Sequence, residues 1–319
     1  MSNPVPAAIS CSLLVACATP TPTPITDGQA NIQSIVATAN DVYWADFGFD
    51  LHDVMVARVM HAHGDAVDVL ADDQGCPIAV ATDQVSVFWA RCDGAVVSAS
   101  AGVTTVIAPP GGFAANTIRA IVATTDTLYL AIDGTPGKIV ALPKQANATI
   151  TTVVDNLGDP SALAVDDANL YFVAGGALYE RARQADVTTP PTGIPGANVA
   201  IGAIASDGNH LYWGDSASAV HAMTISDGST FELSASGSPA AFAFDASHLY
   251  WIANFARVIE RAPLTGGGTE TLANITDPSG YAAATIAVTT DSVIWADNPS
   301  DCDTTIEDCY PTTIESVAK

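Results

Sequence analysis

Positive charge is what this chain has least of. Ten Lys and Arg stand against 34 Asp and Glu, a net charge of −24 over 319 residues. Only three lysines occur, Lys138, Lys144 and Lys319. Binding a polyanion requires clustered basic side chains, so nucleic acid is excluded as a partner. Long hydrophobic runs are missing as well. Although 49% of residues are hydrophobic, no run approaches the ~18–20 apolar residues of a membrane-spanning helix. No segment sustains a helical period. A Gly-rich phosphate loop, a Gly-x-Ser-x-Gly elbow and a paired Cys-x-x-Cys are all absent. The acidity itself supports two readings: a solvated surface suited to an extracellular or saline setting, or an acidic face that attracts cations or a basic partner.

What the chain does have is a repeat. A small apolar run leads into an Asp or Asn turn and then into an aromatic-rich run. The aromatic runs end at Tyr43-Trp44, Phe88-Trp89, Tyr129-Leu130, Tyr171-Phe172, Tyr212-Trp213, Tyr250-Trp251 and Ile294-Trp295. The second residues of these pairs lie 38 to 45 residues apart. A period of ~40–45 residues with several strands per unit is the mark of a β-propeller. The sequence therefore predicts an all-β fold, a seven-bladed β-propeller of four-stranded antiparallel blades. It forms one domain over 30–319, preceded by an N-terminal segment over 1–29.

Each repeat divides into four strands. The inner strand carries Ala, Val, Ile and Thr, as in AIVAT and TIAV, because space is tightest at the axis. The second strand holds the aromatic pair, which fills the widening gap between sheets. Third strands such as KIVALP and VIERAP follow, and outer strands such as TTVIA and TETLA close the unit. Polar and Gly-rich turns separate them. The seventh repeat ends after TTIESVA without a fourth strand. Propellers commonly borrow an N-terminal strand here, which also hides a sheet edge. Ser10–Ala18 is the predicted lender, with the Thr-Pro run as the connection. The same residues support a second reading. Leu14-Val15-Ala16-Cys17 resembles a bacterial lipobox with Cys17 as the lipidated residue, and the Thr-Pro run as a stiff tether. Against this, no Lys or Arg precedes the apolar stretch.

Four further cysteines form two candidate pairs. Folding the second repeat at its turn brings Cys76 opposite Cys92. Cys302 and Cys309 bracket the acidic loop DCDTTIEDC. Two disulfides indicate an oxidising compartment, hence export; the alternative is buried or free thiols.

At the aromatic pairs the chain resembles the YWTD propeller repeats of lipoprotein-receptor ectodomains and the NHL-type bacterial propellers. Tyr43-Trp44-Ala45-Asp46 and Tyr212-Trp213-Gly214-Asp215 carry the resemblance, which covers 30–319. It implies recognition of a protein or peptide on one face of the toroid, and a non-enzymatic binding or scaffold module is the expected function. A monomer, secreted or held at the cell envelope, is expected.

Ligands of propellers mostly meet the face built by the loops after the second strand and between blades. That face gathers Asp46, Asp50, His52 and Asp53, then Arg91, Asp93, Asp133, Asp215, Asn254 and Asp297. Turn-forming Asp and Asn account for many of these, since such loops need them. The alternative function is a propeller lyase or hydrolase, divalent-metal-assisted, with His52 as base between Asp50 and Asp53 at the channel mouth. No cofactor motif is present. For metals, Asp297, Asp301 and Asp303 offer hard oxygens suited to Ca2+, although a disulfide-stapled loop needs no ion. His61-Ala62-His63-Gly64-Asp65 resembles a zinc ligand run but falls where other repeats have ordinary turns.

Overall fold

The computed structural model describes residues 20–29, 32–47, 57–197, 201–216, 219–234, 239–253, 257–275, 285–297 and 312–319. Within them the chain forms seven four-stranded antiparallel sheets and no helix. The inner strands are Ile32–Ala37, Pro77–Thr82, Ile118–Ala123, Pro160–Val165, Ile204–Ser206, Pro239–Phe244 and Thr285–Val288. Each touches the inner strands of the blades before and after it, and the seventh touches the first, so the ring is closed. The seven-bladed propeller read from the repeat is the fold observed.

Hydrophobic packing sits between blades. Seven separate clusters are present, and each straddles one pair of adjacent blades. The aromatic pair explains this. Successive residues of a strand point to opposite faces of the sheet. The first member of a pair therefore faces the next blade and the second faces the previous one. Trp251 packs with Tyr212, Val220 and Leu233 of blade five. Its neighbour Tyr250 packs with Ile286, Val293 and Trp295 of blade seven. The same handover repeats around the ring, and every second-position residue is almost completely buried. Gly214 shows how tight the contact is: a Cβ there would lie 2.0 Å from Pro239 Cγ of the following blade.

Blade seven comprises Thr285–Val288, Ser292–Asp297, Thr312–Ala318 and, as its outer strand, Thr23–Gln29. The borrowed strand is thus downstream of the Ser10–Ala18 segment expected to supply it. It includes Thr23 and Pro24 from the run read as the connection, and pairs in the register Thr23↔Ser316 and Thr26↔Ile314. Pro is tolerated because this is an edge strand. The hydrophobic pattern favoured SLLVACA, but closure uses other contacts. Ile25 packs against the cluster between blades seven and one. Gln29 Oε1 accepts a bond from Trp44 Nε1 at 3.2 Å, both side chains being buried. Ser10–Ala18 and Cys17 lie outside the described residues. In blade two, Cys76 and Cys92 are joined as a disulfide with Cα atoms 5.5 Å apart; Cys302 and Cys309 lie outside the described residues.

The turns joining inner and second strands share one device. All seven hold an aspartate within the turn or at its end: Asp41, Asp83, Asp126, Asp166, Asp207, Asp245 and Asp291. In blades four to six the carboxylate accepts backbone N–H groups two and three residues on, and the Tyr hydroxyl five residues on. For Asp207 these are Asn209, His210 and Tyr212, at 2.7, 2.6 and 2.8 Å. Phe88 lacks that hydroxyl in blade two. There Lys144 of blade three reaches back to Asp83 Oδ2 at 2.5 Å and to the carbonyl of Thr124, with its ammonium 4.7 Å from the Phe88 ring centre. Arg183 of blade four and Lys319 of blade seven occupy the matching place after their third strands. They reach back to Tyr129 and Asp245 of the preceding blades. Ile225 and Leu264 stand there in blades five and six and pack into the preceding interface instead.

Three outcomes follow from this packing. Trp251→Ala is expected to destabilise the protein by roughly 3–5 kcal/mol in chemical denaturation, as for large core truncations generally. Gln29→Ala is expected to cost about 1–3 kcal/mol by leaving a buried indole N–H unpaired. Gln74→Ala, which removes the partner of Trp89 Nε1 at 3.0 Å, is expected to cost less because Gln74 is only partly buried.

Candidate functional site

The loops after the second strands and between blades form one face of the toroid, here the crossover face. Four of its described candidate aspartates are bonded to Arg or His side chains. Asp46, fully buried at the end of its strand, accepts from Arg58 Nη2 at 3.3 Å. Asp93 binds Arg91 Nη2 at 2.8 Å through one oxygen and the N–H of Ala95 at 3.1 Å through the other. Asp133 Oδ2 takes both Nε and Nη2 of Arg119, at 3.2 and 2.5 Å, while Oδ1 accepts the N–H of Gly134 at 2.7 Å. These bonds hold the Asp133 carboxyl below the usual range, with the Arg119 contact the largest cause. Asp215 Oδ2 lies 2.8 Å from His221 Nε2, and Oδ1 accepts the N–H of Ala219 at 3.0 Å. The His221 ring is stacked on Trp213, centres 5.3 Å apart.

Three of these partners, Arg58, Arg119 and His221, were not singled out in the sequence as face residues. Arg119 is the one charged residue in the described inner strands, an anomaly among small apolar side chains that could have flagged it. His221 sits in a third strand, and only the register shows that Trp213 faces it and that the short hairpin returns it to Asp215. Asp50, His52, Asp53, Asn254, Asp301 and Asp303 lie outside the described residues. Asp297 ends the second strand of blade seven, paired with Thr313 through the backbone.

His61 is tied up elsewhere. Its Nε2 is 3.0 Å from Asp41, and its ring stacks on Tyr43 and on His63. Among the described residues no group of three His, Cys, Asp or Glu side chains is placed to hold a metal. Glu260 is buried with its carboxylate 3.0 Å from Trp251 Nε1. Burial pushes its pKa up, and the indole N–H offsets only part of that.

The axis of the ring is a channel. On the side of the turns between inner and second strands it widens into a well of 640 Å³. The last residues of all seven inner strands line it, with Lys319 and Asp245 at the rim. Burial alone pushes the Asp245 pKa up. The Lys319 ammonium at 2.8 Å and the N–H groups of Ser247 and His248 outweigh it and hold the carboxyl far below the usual range. Tyr250, which donates to Asp245, is pushed up to about 12 by burial and by that carboxylate. Asp83 and Asp207 are shifted down in the same way, against the burial effect, by Lys144 and by turn N–H groups respectively.

No protein family and no curated protein matches the chain by sequence. Solved structures match by shape. PorZ, an essential surface component of the type-IX secretion system of Porphyromonas gingivalis, is similar with TM-score 0.64 at 13% identity. That match covers 84% of this chain but 35% of PorZ, so the chain spans about a third of that protein. A chain of the nidogen–laminin complex matches with TM-score 0.50 at 20% identity, over 63% of this chain and 78% of its own. Virginiamycin B lyase from Staphylococcus aureus, a catalytically inactive His-to-Ala variant with quinupristin, matches with TM-score 0.64 at 14% identity, over 93% and 98%.

A pH dependence follows from four of the turn aspartates, Asp83, Asp126, Asp207 and Asp245, whose carboxyls are held down by hydrogen bonds and nearby cations. Their folded pKa values lie below the unfolded value of about 3.9, so their stabilisation is full above that pH and is lost as pH falls through the folded values. The thermal midpoint should drop as pH is lowered from about 5 to about 2, and less steeply in Asp245→Asn than in wild type. Equal slopes in a calorimetric pH series would remove Asp245 from this account. Structural likeness at 20% identity or below places the chain among β-propellers by fold, with binding components and a lyase alike among its neighbours.

Proposed function

We propose that the chain is a non-enzymatic binding propeller, exported to the cell envelope or beyond, that recognises a protein or peptide on its crossover face. The observation that carries this reading is the use of charge on that face. Asp46, Asp93, Asp133 and Asp215 are each bonded to Arg or His, and three of them also accept backbone N–H groups. Carboxylates so engaged set loop shape, and a rigid face on a chain of net charge −24 suits recognition of a basic partner. The Cys76–Cys92 disulfide supports export, since such bonds persist in oxidising compartments. Lipidation at Cys17 would hold the protein at a membrane surface.

A second reading is favoured by one finding: the lyase neighbour matches over nearly the whole of both chains. On that reading His52, flanked by Asp50 and Asp53, supplies the base, with a divalent ion such as Ca2+ assisting at Asp297, Asp301 and Asp303.

An array of basic, neutral and acidic peptides separates the two. Binding is expected for basic peptides, weakening as salt rises from about 50 to about 300 mM, and unchanged in His52→Ala. Conversion of quinupristin followed by chromatography, lost in His52→Ala, would replace the binding reading with the lyase. Retention of no peptide class would overturn the binding reading outright.

A further inference from the structure

The well on the turn side of the channel opens on the face opposite the one discussed above. We infer that it binds a small apolar ligand carrying a single cationic head. The shape fits: 640 Å³ falls within the ~300–1,000 Å³ of small-molecule sites. Its wall is more apolar than polar and is contributed by all seven inner strands, with Val36, Val122, Val165 and Val288 among the lining residues. Phe244, also in the lining, is 40% exposed. Apolar surface left open at a cavity mouth is surface a ligand can cover.

The walls also offer polar groups. Each inner strand pairs with its own second strand on one side only. The other edge carries backbone N–H and C=O groups toward the axis. Two of these N–H groups, of Ile35 and Val80, are taken by the hydroxyls of Thr285 and Ser34 in the preceding blades.

Charge selects the head group. The seven turns around this face hold seven aspartates, and Asp167 adds an eighth. Among the described residues the Lys and Arg side chains that reach these turns are Lys144, Arg183 and Lys319, so carboxylates outnumber them. Low-dielectric walls under a ring with an excess of carboxylates concentrate a net negative field at the mouth. The chain itself shows what such a rim accepts. The Lys319 ammonium sits at the edge of the well, 2.8 Å from Asp245. The Lys144 ammonium is held by a turn carboxylate, a carbonyl and an aromatic face together. An ammonium on an apolar stem matches both patterns, since a cation gains from carboxylates and ring faces alike. An anion of the same shape meets repulsion.

This site is independent of the crossover face, so its failure leaves that reading intact. The test is calorimetric titration with 4-phenylbutylammonium, 4-phenylbutanol and 4-phenylbutyrate near neutral pH. The ammonium is expected to bind on the order of tenfold tighter than the alcohol at low salt, with the gap closing as salt screens the rim. Phe244→Ala should weaken binding and Val122→Trp, which fills the well, should abolish it. Val103→Asp on an exposed outer strand should leave it unchanged. Should the well variants fail to fold, methyl NMR of the wild type reads the same point. Shifts at Val36, Val122, Val165 and Val288 on adding the ammonium support the site. Equal affinity for the butyrate, no binding of any probe, or shifts confined to methyls outside the well would overturn it.

Discussion

Everything in this molecule depends on the handover of aromatic side chains from one blade to the next. A single four-stranded sheet of this size cannot bury either face alone. Here Tyr250 and Trp251, adjacent in sequence, serve two different interfaces. Large aromatics bury on the order of 150–250 Å² each, so one pair of residues per blade supplies much of each interface. The seven clusters are nearly equivalent and each joins only neighbours. The ring is therefore as secure as its least-packed junction, and closure matters more than any one blade. That places weight on Thr23–Gln29, which completes blade seven and gives Trp44 of blade one its indole partner.

The scarcity of positive charge acquires a structural meaning once the ring is built. Two of the three lysines, with Arg183, stand at equivalent points after third strands and bind the turns of preceding blades. Arg58, Arg91 and Arg119 tie aspartates on the crossover face. The few cations are spent on junctions and loops, and the surplus of carboxylates is left to set the field over both faces. A protein built this way presents negative potential to its surroundings without relying on any one acidic cluster.

The fold was legible because its signal is periodic and local. Seven repeats with an aromatic pair at each second strand permit few architectures, and the alternation of side chains requires the pair to face two ways. The candidate site was legible in part. Asp46, Asp93, Asp133 and Asp215 could be assigned to one face because they follow second strands. Their partners could not be read as reliably. Arg119 lies 14 residues before Asp133, and the two meet only because an inner strand starts where a second strand ends. The closing strand was misplaced because hydrophobicity favoured Ser10–Ala18. An edge strand is held by its ladder and a few specific contacts, and TPITDGQ carries little apolar pattern.

The sequence by itself determined the number of blades, the aromatic anchors and the acidic character, since each is written in local spacing or composition. Only the tertiary structure decided which strand closes the ring and which cations reach across to which turns. It also revealed the well on the turn side of the channel. These depend on residues far apart in the chain: Lys144 and Asp83 are 61 positions apart, and Thr285 and Ile35 are 250 apart. No local pattern records such meetings, because they are fixed by the angle between sheets and by the closure of the ring.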